Sequence, residues 1–253
     1  MAEQMTALVT GATSGFGEAT ARRFVKEGHH VVITGRRRER LDKLTRELGT
    51  GSCLPLNFDV TDREACLQAV KDLPPAFSKL DVLVNNAGGA LGLDPAQSAN
   101  LDDWDTMVDV NIKGLLYMAR AVLPGMIERG KGLIVNIGSV AGTYPYPGGN
   151  VYGASKSFVH QFSLNLRADV VGTGVRVTSL EPGLVETDFA LVRFKGDREK
   201  AAKTYAGTTP MNAGDIADII WWLATLPPHI NVNVLEVMPE KQAFGPFNIK
   251  RDL

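Results

Sequence analysis

The chain has 253 residues, 44% of them apolar and 22% charged, with a formal net charge of -1. That length and apolar share suit one large α/β core, while the balanced charge excludes both a global basic field for nucleic acid and an acidic, disordered protein. No apolar run approaches the roughly 20 residues of a membrane span, and "MAEQMTALVT" lacks the cationic start and cleavage site of a signal peptide, so a cytoplasmic protein is expected.

In chain order, short apolar runs alternate with helical patterns. Residues 6–10 (TALVT), 30–34 (HVVIT), 81–85 (DVLVN), 132–137 (GLIVNI), 175–180 (VRVTSL) and 232–237 (VNVLEV) read as buried parallel strands, with SCLPLN at 52–57 a weaker seventh. Residues 19–26 read as a helix stopped at Gly28. Residues 38–48 place Leu41, Leu44 and Leu48 on one face before Gly49. This alternation predicts a Rossmann-like, doubly wound parallel sheet of about seven strands with helices on both faces. No repeat or linker splits the chain, so 1–253 reads as a single domain, with a cofactor half at about 1–130 and a catalytic and substrate half at about 131–253. Such sheets bind ligands beyond the carboxyl ends of their strands.

The first candidate site lies directly after the first strand, where GATSGFG places Gly11, Gly15 and Gly17 before a helix. A turn there lets backbone approach a pyrophosphate, and the helix start aims free N–H groups at it. The spacing is GxxxGxG, not the commoner GxGxxG, and it gains its force from standing between strand and helix. Strand two ends in Gly35 followed by Arg36, Arg37 and Arg38, where NAD enzymes commonly carry an acid. Cations at a helix start oppose the helix dipole, and guanidinium groups can grip an adenosine 2′-phosphate bidentately. The cofactor expected is therefore NADP, with Arg36 and Arg37 as phosphate ligands.

Within NVYGASKSFVHQF (150–162), Tyr152 and Lys156 lie one helical turn apart on the same face. Taken alone, the pair reads as a surface contact; a tuned base is the functional alternative. Lowering a phenol's pKa by ~2 units requires roughly 2.7 kcal/mol. An ammonium at ~4 Å supplies about 4 kcal/mol at an effective dielectric near 20. Cys53 and Cys66 read as buried or half-buried thiols of a reducing compartment, and the four histidines have no ligand spacing, so no metal is expected.

TGATSGFG, NNAG at 85–88, Asn111, Gly138–Ser139, YGASK and PGLVET at 182–187 together resemble the short-chain dehydrogenase/reductase family, in matching order from about residue 6 to past 237. Within it, GRRRERL, DWDTMVDVNIKGLLYMARAVLPGM and YPYPGGNVYGASKSFVHQFSLNLR are similar to the NADP-dependent 3-hydroxy acid (serine) dehydrogenases, which act on serine, L-allo-threonine and small 3-hydroxy acids and reduce malonic semialdehyde. The resemblance implies Tyr152 as acid/base, Ser139 as hydrogen-bond partner of the reacting oxygen, and Lys156 as ligand of the nicotinamide ribose and modulator of the tyrosine. It gives Asn111 a water in a proton relay, Asp59 and Val60 the adenine, Asn86 the adenine-side ribose and Thr187 the carboxamide. It also implies cofactor contacts from Gly11, Thr13, Ser14, Gly15, Phe16, Pro182 and Val185, and a homotetramer with helices such as the one bearing Phe158, Phe162 and Leu166 paired across a two-fold axis.

For the substrate, residues 184–207 should form a lid after strand six. Its cations Arg193, Lys195, Arg198 and Lys203 could meet a carboxylate, with Arg193 the first candidate. RFKGDREK at 193–200 reads equally well as a solvated helix face. Tyr144 and Tyr146 should flank the site, with packing as their job, and the aromatic tail FGPFNIKRDL should dock on a neighbour. A reductase of larger, 3-ketoacyl-type ketones is the rival enzyme; an NADP sensor without chemistry is the rival from another class.

Overall fold

The structure is a computed structural model and describes residues 4–244 and 249–251. The strands are β1 (Thr6–Val9), β2 (His30–Gly35), β3 (Cys53–Asn57), β4 (Val82–Asn85), β5 (Gly132–Ile137), β6 (Val175–Pro182), β7 (Val185–Glu186), β8 (Met211–Asn212) and β9 (Val234–Val237). Seven of them form one sheet in the order β3-β2-β1-β4-β5-β6-β9, every pairing parallel. The seven expected strands are all present. β6 runs two residues past its expected end, to Pro182, and β9 starts later, at Val234. The weak seventh forms despite Pro55 because β3 lies at the sheet edge, where a missing N–H costs no ladder bond on the outer side.

The helices are α1 (Gly15–Lys26), α2 (Arg38–Leu48), α3 (Arg63–Lys71), α4 (Leu101–Val108), α5 (Leu115–Glu128), α6 (Asn150–Asp169), α7 (Phe189–Arg193), α8 (Arg198–Tyr205) and α9 (Ala213–Thr225). Alternation along the strands divides the core. Ala7, Val9, Val31 and Ile33 face Phe24 of α1, Leu41 and Leu44 of α2, and Ile216 and Ile220 of α9. Leu8, Val32, Leu83 and Ile134 face Cys66 of α3, Met118, Val122 and Met126 of α5, and Leu166 of α6. Both faces are covered, which is why β1 and β4 are buried at every position and not at alternate ones. Each such aliphatic side chain contributes roughly 1.5–3 kcal/mol by burial.

Three details place the site. The strand order reverses at β1, whose neighbours are β2 and β4, so their carboxyl ends open a crevice. Helix α4 passes into α5 through a π-helical turn, Asp109–Gly114, a widened turn that redirects the residues it carries. Finally, β7 and β8 pair with each other, Val185 with Met211 and Glu186 with Asn212, and so bracket the segment carrying α7 and α8. Among the described residues no helix is long and apolar enough to cross a membrane.

Candidate active site

A cleft of about 390 Å³ opens at the switch point, bounded by the turn after β1, the ends of β4 to β6 and the start of α7. Its floor is the glycine turn. Gly11 has φ 67°, and a Cβ there would stand 2.9 Å from the Ala87 Cα. A Cβ at Gly17 would stand 2.7 Å from the Gly11 carbonyl oxygen. Both positions therefore exclude side chains, and the backbone is left bare toward the cleft. Ser14, the residue before α1, makes no side-chain cap, so the helix start keeps free N–H groups for an anion. The cradle fits a pyrophosphate.

At the strand-two end the structure brings Arg36 and Arg37 to the cleft together with Thr13, Ser14, Gly15, Phe16, Asp59 and Val60. Arg37 donates from Nε to the Thr13 hydroxyl at 3.1 Å and from Nη2 to the Ser14 hydroxyl at 3.1 Å. Burial lowers its pKa, as do the charges of Arg40 and Arg36, with Asp188 acting against them. Arg36 is mostly exposed and lies 3.6 Å from the Asp59 carboxylate. Three guanidinium groups crowded this way suit a dianion. Asn86 also lines the cleft, but its amide nitrogen is committed to the turn, donating to Thr10 O at 2.8 Å and Gly11 O at 3.2 Å. Only its oxygen remains for the ribose expected of it.

At the other end lie Ser139, Tyr152, Lys156, Pro182, Val185 and Thr187. Tyr152 and Lys156 are buried on α6, one turn apart as expected. Ser139 follows β5; its hydroxyl accepts from the Ala141 N–H at 3.1 Å and hydrogen-bonds Tyr152. Lys156 Nζ donates to the Ile137 carbonyl at 2.7 Å and sits 5.8 Å from the Tyr152 ring centroid.

Burial acts on both members of the pair. Burial pushes the Tyr152 phenol up to about 12, with Ser139 and the Arg193 charge pulling the other way, and it pushes Lys156 down to about 8. Desolvation outweighs the coupling because both groups are buried. Burial thus favours the protonated phenol, and the tuned base expected of this pair also draws on the positive charge of an oxidised nicotinamide.

Asn111 stands in the π turn with its amide spent on protein. Its Oδ1 accepts from Gly89 N at 2.9 Å, while Nδ2 donates to Gly89 O at 2.9 Å and to Ser155 Oγ at 3.0 Å. Ser155 in turn donates to Tyr152 O at 2.8 Å. The Asn111 side chain thus ties the loop after β4 to the helix of Tyr152, so a relay water at this residue would have to use its main chain.

The lid cations separate cleanly. Arg193 closes α7 and lies over Tyr152, 5.6 Å from its ring centroid, and also over Tyr146 and Phe189. Its Nε donates to Gly92 O at 3.1 Å and Nη2 to the Tyr146 hydroxyl at 2.7 Å. Lys195 instead pairs with Asp103 at 2.8 Å and Lys203 with Glu199 at 2.7 Å, and α8 has no buried residue. The solvated-face reading holds for α8 and fails for Arg193. Tyr144 does not flank the cleft: its hydroxyl bonds Glu236 at 3.1 Å, and its ring meets Phe244. Within the tail, residues 245–248 and 252–253 lie outside the described residues. Phe189, Val192 and Asp188 line the cleft without having been singled out; no period or motif marks them.

A cleft that cradles a pyrophosphate at one end and presents a buried phenol, hydroxyl and ammonium at the other defines a dinucleotide-dependent oxidoreductase. The chain belongs to the short chain dehydrogenase family, whose profile matches residues 5–197. It is 58% identical to the NADP-dependent 3-hydroxy acid dehydrogenase of Salmonella typhi, over 98% of this chain and 100% of that one. It is 55% identical to the serine 3-dehydrogenase of Rhizobium radiobacter, over 98% of each. Among solved structures, the closed form of serine dehydrogenase complexed with NADP+ matches with a TM-score of 0.94 at 55% identity, covering 98% of this chain and 100% of that one.

Proposed function

We propose that this protein is an NADP-dependent dehydrogenase that interconverts small 3-hydroxy acids, of the serine, L-allo-threonine and 3-hydroxypropanoate type, with their 3-oxo acids or semialdehydes. The observation that carries the reading is Arg193, a guanidinium held 5.6 Å from the ring of the candidate acid/base. A substrate carboxylate needs a partner when it leaves water, and this cation offers one at the reach of a three- or four-carbon acid. The relatives named above support the same substrate class.

When bound, NADP(H) supplies or accepts the hydride. The chain's residues handle the proton and the geometry. In reduction, Tyr152 gives its proton to the oxygen of the carbonyl being reduced, and a phenol pushed up to about 12 is already protonated for this at neutral pH. Ser139 holds the same oxygen by its hydroxyl. In oxidation Tyr152 takes the proton back, and the positive charges of Lys156 and Arg193 favour the phenolate. Lys156, fixed by Ile137 O, would hold the cofactor's ribose. Gly11, Thr13, Ser14, Gly15 and Phe16 would hold the pyrophosphate region, Arg36 and Arg37 the 2′-phosphate, Asp59, Val60 and Asn86 the adenosine, and Pro182, Val185 and Thr187 the nicotinamide.

We further read residues 1–130 as the cofactor half and 131–253 as the substrate half of one domain, and the working form as a cytoplasmic homotetramer. The test is an NADPH absorbance screen of short hydroxy acids and semialdehydes against long-chain ketones. Turnover of the short acids is expected; activity confined to long-chain ketones would overturn the substrate class.

A further inference from the structure

The arginine cluster at the start of α2 extends one turn further than the sequence motif suggests. Arg40 reaches back from the first turn of α2 to the same loop that Arg37 grips, with Nη1 3.4 Å from the Thr13 carbonyl. On its other side Arg40 Nη1 lies 3.8 Å from the carboxylate of Asp188, the residue that begins α7. Both side chains are about half exposed, so the pair is open to an incoming ligand. Asp188, Arg36 and Arg37 line one wall of the same cleft. Asp188 makes no side-chain cap on α7, so its carboxylate is not there to start a helix. Nor does a cation in the first turn of α2 help that helix, since it opposes the dipole.

Resting on the NADP reading above, we propose that Arg40 is a third ligand of the cofactor's 2′-phosphate and that Asp188 competes with that phosphate for it. One guanidinium then has two anionic suitors, a phosphomonoester dianion from the cofactor and a carboxylate from the lid. Asp188 opposes the dianion twice, by occupying Arg40 and by repelling the phosphate itself. The selectivity for NADP over NAD is thereby set partly by a residue on the substrate side of the cleft, and the phosphate end is linked electrically to the segment that carries Arg193.

The test is binding, not turnover. NADPH and NADH are titrated by fluorescence into the full-length wild type, Arg40→Gln, Asp188→Asn and the double variant, with 2′,5′-ADP as a competing probe that lacks nicotinamide. Arg40→Gln should weaken NADPH and 2′,5′-ADP about tenfold or more and leave NADH within about twofold, as loss of a charge-assisted bond implies. Asp188→Asn should tighten NADPH and 2′,5′-ADP several-fold, and this gain should vanish in the Arg40→Gln background, the coupling expected of residues that share one ligand. If Arg40→Gln weakens NADPH and NADH equally, or leaves a wild-type preference for NADPH unchanged, the Arg40 assignment falls. A gain from Asp188→Asn that persists without Arg40 removes the competition. Equal wild-type affinities for NADPH and NADH would overturn the cofactor reading itself.

Discussion

The two ends of the cleft are built in opposite ways. The phosphate end uses backbone that neighbours itself in sequence: a glycine turn, a helix start and a run of arginines within 30 residues of one another. The substrate end gathers the Gly92 carbonyl and the side chains of Tyr146, Tyr152 and Arg193, which only the tertiary fold brings together. Tyr152 and Lys156 on α6 are buried, whereas α8 in the lid buries nothing. The glycine turn and α6 are thus tied to the sheet, whereas the segment after β7 meets the cleft only through its first residues, among them Thr187, Asp188, Phe189 and Val192.

The sharpest way to break this division is at its buried end. Tyr152→Phe keeps the ring and deletes the proton, so turnover should fall 10²–10⁴-fold while NADPH affinity stays within a factor of two or three. Residual turnover above about a tenth of wild type would remove the acid/base role.

Lys156 tests the same end through folding. Its folded pKa, pushed down to about 8, lies below the ordinary 10.5, so the unfolded chain binds more protons between those values. The lysine's contribution to stability should therefore grow as pH climbs from about 8 to 10 and be lost again as pH falls, by about 2 kcal/mol at 1.36 kcal/mol per unit. Tyr152, pushed up to about 12, works against it above pH 10, and Cys53 and Cys66, pushed up by burial to about 11 and about 12, work against it from about pH 9, where the unfolded thiols ionise first. Between pH 7.5 and 10 the urea midpoint should fall more steeply in Lys156→Met than in wild type, because only wild type has the lysine's gain to offset the loss from Cys53 and Cys66.

At the phosphate end, replacing Arg36 and Arg37 together with alanine should erase most of an expected hundredfold or greater preference for NADP over NAD in kcat/KM. Two charge-assisted contacts at about 1.5–3 kcal/mol each set that scale. A wild type indifferent to the 2′-phosphate would contradict it.

In the lid, Arg193→Ala should raise KM for serine about tenfold more than KM for an uncharged alcohol of similar size. Equal effects would reduce Arg193 to a packing residue stacked on Tyr146 and Phe189. The smallest effect is a control: Lys203→Ala, on the solvated face of α8, should shift neither stability beyond about 0.5 kcal/mol nor any kinetic constant.

The sequence made the first region readable and the second only partly so, for the same physical reason. Buried parallel strands announce themselves as apolar runs, and the glycine turn and Tyr152–Lys156 spacing are local, so β1 to β6, the cradle and the catalytic helix were all expected where they lie. Arg193 could be nominated but not distinguished from Lys195 or Lys203, because composition does not say which cation a lid folds inward. Asp188, Phe189 and Val192 carried no signal at all. The spacing of Tyr152 and Lys156 reported their proximity but not the cost of burial that acts on both groups.

The two-residue ladder of β7 with β8 has a consequence for how such an enzyme diversifies. It holds both ends of the lid at one strand spacing, so the loop's closing entropy is already met before residues 187–210 adopt any shape. Those residues form an interchangeable cassette: a segment of different length or charge, grafted between Glu186 and Met211, inherits a fixed mouth, a finished sheet and an intact proton donor. Variation is least costly in α8, which buries nothing, and most costly at Thr187 and Asp188, which line the cleft.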